Sequence, residues 1–114
     1  IPNFNGAVWI RQAIDSALDQ KGINVEVIVV DDGSTDDSVK VLKEFGEDIV
    51  FISNENYGKY PSLNQANAIE EAFKRSSGDV IFLLDSDDVF SENKIERIVK
   101  EFKNNSNLVA NSTE

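Results

Sequence analysis

The sequence predicts an α/β domain: a mostly parallel sheet with helices on both faces. Two observations carry this. Short apolar or β-branched runs at residues 25–30 (VEVIVV), 49–53 (IVFIS) and 80–84 (VIFLL) each end in polar residues, as strands do. Between them lie stretches whose apolar residues recur at spacings of three and four, the mark of one buried helical face. Strands alternating with helices imply parallel pairing, because a crossover helix must carry the chain back before the next strand starts. The length, 114 residues, suits a single domain with a real core.

The elements follow in order. The first helix places Ile10, Ala13, Ile14, Ala17 and Leu18 on one side. The second runs from about residue 36 to residue 45, with Val39, Leu42 and Phe45 inward, Ser34 or Thr35 as its N-cap and Gly46 just past its end. A third starts near Pro61, a residue suited to a first helical position, and turns Leu63, Ala66, Ala72 and Phe73 inward until Ser76, Ser77 and Gly78 end it. The fourth follows Ser91, with Ile95, Ile98, Val99 and Phe102 on one side. Residues 104–114, rich in Asn and Ser, read as a loosely held tail.

Composition removes several functions. With 11 basic and 21 acidic residues the formal net charge is −10, the wrong sign for a general nucleic-acid binder. An anionic ligand would need a metal to meet it. There is no cysteine, so no disulfide framework or thiolate chemistry, which is compatible with the cytoplasm. There is no histidine, which rules out His-based triads and His metal sites. No apolar run approaches the roughly 18 residues that a membrane span needs.

Polar clusters follow the strands, at the edge where open α/β sheets gather ligands. They are DDGS at residues 31–34, residues 54–60, and DSDD at residues 85–88; PNFNG at residues 2–6 precedes the first helix. In DSDD, three carboxylates crowd into four positions directly after an apolar run. Their repulsion must be offset by a cation, by solvent or by hydrogen-bond donors. Two or three hard oxygen donors at a strand end suit Mg²⁺ or Mn²⁺ bridging to phosphate; a solvated acidic loop is the plainer alternative. DDGSTD at residues 31–36 offers a carboxylate beside a tight turn, but it is equally a good turn and helix cap.

Together, IPNFNG, VEVIVVDDGSTDDS, ENYGK and SSGDVIFLLDSDD, in this order and spacing, resemble the family-2 glycosyltransferases over residues 1 to about 103. That resemblance implies the Rossmann-like A-type nucleotide-sugar-binding fold and transfer of a sugar from a nucleoside-diphosphate donor, UDP being the expected carrier. It implies inversion at the anomeric carbon and a divalent metal, Mn²⁺ or Mg²⁺, on the diphosphate. By the family pattern Asp88 is a metal ligand, and Asp87 contacts ribose or metal within an Asp-x-Asp motif. Asp32 accepts a hydrogen bond from the imide N–H of the base, and Asp31 fixes the loop. Pro2 and Phe4 belong to the loop that lies against the base. Phe4 stands where a tyrosine is more usual, and core packing is its alternative fate. The sequence departs from the family in its third helix, which has LNQAN at residues 63–67 where many members carry Ala-Arg-Asn. Lys59 is the expected phosphate cation in its place.

Rival readings explain fewer clusters. An EF-hand starting at Asp85 would put Val89 and Phe90 where an oxygen ligand and a glycine belong. A haloacid-dehalogenase-like phosphatase matches residues 85–89 locally, but only 26 residues follow Asp88. A non-enzymatic receiver-like domain would use Asp31, Asp32 and Asp85 as an acidic pocket, yet needs a lysine on a later strand. The resemblance therefore makes residues 1–103 a donor-binding domain, with the acceptor-binding half and the general base expected outside this chain. It also implies a carbohydrate or lipid-linked acceptor, surface-polysaccharide synthesis, and a cytoplasmic location at the inner membrane face.

Overall fold

A computed structural model of the chain describes residues 1–55 and 61–104, with side chains from residue 65 onward in the second stretch. In chain order the elements are β1 (Pro2–Asn3), α1 (Ile10–Leu18), β2 (Ile28–Asp32), α2 (Ser38–Glu44), a 3₁₀ turn (Gly46–Asp48), β3 (Val50–Asn54), α3 (Pro61–Arg75) and α4 (Lys94–Asn104). The three strands form one parallel sheet in the order β1-β2-β3.

β2 is the centre of the domain, and all five of its residues are buried. Its side chains alternate between two layers, as the two-residue period of a strand requires. Val29, with Val27 just before the strand, faces a core shared with Ile10, Ala13, Ile14 and Ala17 of α1 and Leu42 of α2. Ile28 and Val30 face the other way, onto Ile52 and Ala68, with Ala72 of α3 against them. Helices thus cover both faces, as the sequence predicts. The register sets Asn3 beside Asp31 and Asp32 beside Asn54, so polar side chains line up across the sheet's carboxyl edge.

Three expectations need correction. Residues 80–84 are not a strand of this sheet. Their side chains keep the strand alternation, with Leu84 buried while Ile81 and Leu83 are exposed, but no ladder pairs them. A ladder needs an adjacent edge, and β1 offers two residues, one of them a proline without an N–H. An apolar groove of about 600 Å³, lined in part by Ile1, Val25, Val27, Phe73, Ile81 and Leu83, lies there instead. Secondly, α3 buries Ala68 and partly Ala72, while Ala66 and Phe73 are exposed. The small residues let the helix sit close to β2, and the bulky Phe73 turns to the groove. Leu63 of that expected face lies outside the described side chains.

The third correction concerns the start of α2. Asp37 occupies its N-cap position without a side-chain bond, and neither Ser34 nor Thr35 caps it. Both are engaged by the loop described below. Asp36 Oδ1 accepts from Ser38 N at 2.9 Å and serves the first turn in their place. Gly46 follows the helix as expected, with φ of 56°, a left-handed conformation that glycine adopts without strain. Residues 105–114 of the expected tail lie outside the described residues, and Asn104 still belongs to α4.

Candidate functional site

The end of β2 separates two adjacent aspartates by strand alternation alone. Asp31 shares a face with Val29 and is fully buried. It accepts hydrogen bonds from Asn3 Nδ2 (2.8 Å), Ser34 N (3.0 Å) and Ser34 Oγ (2.6 Å). Its carboxylate is thus the knot that ties β1 to the β2 turn. Asp32 points the other way, is 8% exposed, and accepts no hydrogen bond from any described residue. Burial, and secondarily the charge of Asp31, raise its pKa above the usual carboxylate range. The residue is largely buried, yet neither of its carboxylate oxygens is among the side-chain atoms shut off from solvent, so the group keeps a solvent-facing edge that can accept a hydrogen bond from outside.

Around this pair the loop after β1 is clasped to the loop after β2. Asn5, in a left-handed conformation (φ 52°), accepts at Oδ1 from Thr35 N (2.8 Å) and Asp36 N (3.2 Å). Asn5 N donates to Ser34 Oγ at 2.9 Å, and Ala7 N donates to Asp36 Oδ2 at 3.0 Å. Asn tolerates this backbone region better than most residues. The clasp leaves Phe4 at its apex, 51% exposed, so this aromatic is not a core residue. Pro2 lies two positions earlier, in β1, paired beside Val30.

Residues 85–88 form a turn in which Asp88 N donates to Asp85 O at 3.0 Å. Asp85, Asp87 and Asp88 are all exposed. Gln65 Nε2 donates to Asp85 Oδ1 at 3.2 Å, and Asp88 Oδ1 accepts from Val89 N at 3.0 Å. The crowding seen in the sequence is relieved by fanning the carboxylates into solvent. Among the described residues, no three acidic side chains converge into a metal cage. One or two exposed hard oxygens, with open positions for water and phosphate, nevertheless fit Mg²⁺ or Mn²⁺, which are seldom caged by protein alone.

Gly6 joins the two halves of the rim. A Cβ built on it would lie 2.4 Å from Asn3 Oδ1 and 3.0 Å from Ser86 Oγ. The aspartate knot and the acidic turn therefore meet across a glycine with no room for a side chain. The Oδ1 of Asn3 is buried and has no hydrogen-bond partner among the described residues. Of the residues expected to bind, Asp32 ends β2, Phe4 stands on the loop after β1, and Asp87 and Asp88 stand on the turn. Lys59, with Tyr57 and Gly58, lies outside the described residues, as does the side chain of Asn64. Sequence reasoning missed Asn3, Asn5, Ser34 and Asp36 as the scaffold of the site. The richness in Asn, Asp and Ser on both loops was the available signal, since such side chains bond to nearby backbone.

A family model described as Glycosyl transferase family 2 matches residues 1–113. This chain belongs to glycosyl transferase family 2. Among its relatives in the family, an uncharacterized glycosyltransferase of Rickettsia prowazekii is 41% identical over 96 residues, 84% of this chain and 28% of that protein. The GalNAc(5)-diNAcBac-PP-undecaprenol beta-1,3-glucosyltransferase of Campylobacter jejuni is 35% identical over 91 residues, 77% of this chain and 28% of its own length. Residues 1–349 of S. aureus TarS, solved in complex with UDP, match the fold with a TM-score of 0.70 at 20% identity, over 90% of this chain and 30% of that one. The chain thus spans under a third of each of these proteins. Family membership displaces the phosphatase and receiver alternatives. No helix among the described residues is long and apolar enough to cross a membrane.

Proposed function

We propose that this chain is the donor-binding part of an inverting glycosyltransferase that uses a nucleoside-diphosphate sugar, with UDP as the carrier. The observation that supports it most is the close approach, at Gly6, of Asn3, whose amide holds Asp31 beside Asp32, and Ser86 of the turn bearing the exposed Asp87 and Asp88. One side offers an acceptor for a base N–H, the other hard oxygens for a metal-bound diphosphate. That a protein of the same fold, S. aureus TarS, was solved in complex with UDP supports the choice of nucleotide.

In this reading Asp32 accepts the imide N–H of the base in a charge-assisted hydrogen bond, and Phe4 stacks on the base face. Asp31 holds the loop through Asn3 and Ser34. Asp88, with Asp87, would hold Mn²⁺ or Mg²⁺, which when bound would neutralise negative charge on the leaving diphosphate. Lys59 is assigned to the phosphates, and Pro2 fixes the entry to the base loop. Deprotonation of the acceptor hydroxyl, which inversion requires, is assigned to a carboxylate outside these 114 residues. The acceptor is a carbohydrate or lipid-linked sugar at the cytoplasmic membrane face, in surface-polysaccharide assembly.

Base selectivity tests this reading. Uracil, thymine and guanine present an N–H where cytosine presents a lone pair. UDP, TDP and GDP should therefore bind in the presence of Mn²⁺, and CDP should bind more weakly, by about 10-fold or more. CDP binding as tightly as UDP would remove Asp32 from the base site.

A further inference from the structure

The C-terminal end of α1 is a clamp on the chain that leaves the acidic turn. Ser16 lies in the last turn of α1, and Gln20 lies two residues past the helix end. Gln20 is buried, and its amide is fully used. Nε2 donates to Ser16 O (3.0 Å) and to Ser91 O (2.6 Å), while Oε1 accepts from Ile95 N (2.9 Å). Ser16 Oγ accepts from Phe90 N at 3.0 Å and donates to Ala13 O at 2.7 Å. Lys21 N adds a bond to Glu92 O at 3.1 Å.

These contacts cost the chain a buried amide, where a methionine of similar size would fill the space. They do what packing cannot. Ile95 N is one of the first-turn N–H groups of α4 that have no partner within the helix, and Gln20 caps it from 75 residues away. Ser91 O and Phe90 N are loop groups with no ladder to join. All the anchored residues lie within positions 90–95, and the nearest is two residues beyond Asp88. On its other side the turn is met by Gly6 and Gln65.

We infer that Ser16 and Gln20 are positioning residues for the metal–diphosphate site: by fixing residues 90–95 they set where Asp87 and Asp88 stand. This rests on the role proposed above for those two carboxylates. A group bonded directly to a metal ligand typically contributes about 10–100-fold to metal binding, and Ser16 and Gln20, which act one step further out through residues 90–95, should contribute about 10-fold at most.

The test compares the wild-type chain with Gln20→Met and Ser16→Ala. Mn²⁺ binding in the presence of UDP is followed by electron paramagnetic resonance, and uridine binding in EDTA by NMR shifts. Amide exchange is read at residues 87–90, all well below each variant's Tm. Gln20→Met should weaken Mn²⁺–UDP binding severalfold, up to about 10-fold, leave uridine binding unchanged, and speed exchange at residues 87–90. Ser16→Ala, which removes the bond from Phe90 N and the local bond to Ala13 O, should weaken Mn²⁺–UDP binding and speed exchange by less, again with uridine binding unchanged. A lower Tm with unchanged Mn²⁺–UDP affinity and unchanged exchange in both variants would overturn the inference. So would an equal loss of uridine and Mn²⁺–UDP binding. If the wild-type chain takes up no Mn²⁺ with UDP, the proposed function fails. Exchange at residues 87–90 then still decides whether Gln20 orders the turn.

Discussion

Asp31 and Asp32 are neighbours in sequence and have opposite hydrogen-bonding states: Asp31 accepts three bonds within the protein, and Asp32 accepts none from any described residue. The pleat of β2 causes the difference, turning one carboxylate into the knot with Asn3 and Ser34 and the other toward the free rim. One aspartate builds the site, and the other is left for a ligand.

Asp31→Ala should therefore act on stability. It strips the acceptor from Asn3 Nδ2, Ser34 N and Ser34 Oγ. The bond from Asn3 is buried and the two from Ser34 are partly so, and a buried donor left unpaired costs about 1–3 kcal/mol. Urea unfolding should show a clear fall in midpoint.

Asp32→Asn should do the reverse. The pKa of Asp32 is raised in the fold, first by burial and then by Asp31, so folding disfavours its charged form. Its contribution to stability is fully present below the carboxyl's unfolded pKa and is lost as pH rises through the folded pKa. At neutral pH the neutral Asn should unfold at a higher temperature than wild type. Asp32→Ala should weaken UDP by about 1.5–3 kcal/mol, or roughly 10–150-fold, and leave metal–pyrophosphate binding nearly intact. A silent Asp32→Ala would return this segment to a simple turn. In wild type, UDP affinity should fall as acid protonates Asp32, at a pH above the ordinary aspartate range.

Much of this arrangement is legible in the sequence, and the reasons for the rest are physical. The face of α1 follows from Ile10, Ala13, Ile14 and Ala17 because their spacing leaves one choice. In α3 the apolar residues, large and small, are scattered around the helix, so several faces fit and the buried one is decided by contact with β2. Residues 80–84 carry a strand pattern, but a strand exists only when a neighbour pairs with it, and the segment itself does not encode that neighbour. Ser34 and Thr35 look like caps until Asn5, about 30 residues away, engages them. The bonds of Gln20 to Ser91 and Ile95 span 71 and 75 residues, beyond any local pattern.

Gly6→Ala should damage both halves of the site together. Its methyl would meet Asn3 Oδ1, which cannot retreat while Asn3 Nδ2 is held by Asp31, and would press on Ser86. Overpacking of this kind costs about 1–3 kcal/mol. Thermal unfolding and UDP titration should both register the loss, whereas Ala at the exposed Asn104 should register in neither.

Sugar transfer should need more than these residues. General-base assistance contributes about 10²–10⁴-fold, and this chain has no residue assigned to it. Donor binding without glycoside formation is expected in product assays with UDP-sugars and lipid-linked acceptors. Robust transfer by the 114 residues would place the base among them.

Calorimetry of UDP binding, in Mn²⁺ and in EDTA, on wild type and Asp88→Asn, decides whether the acidic turn holds the diphosphate through a metal. A chain of net charge −10 with exposed carboxylates at its rim should repel a bare diphosphate. Wild type should bind UDP measurably in Mn²⁺ and lose most of that affinity in EDTA, and Asp88→Asn should be weak in both. Equal affinity for UDP with and without the metal would contradict the account.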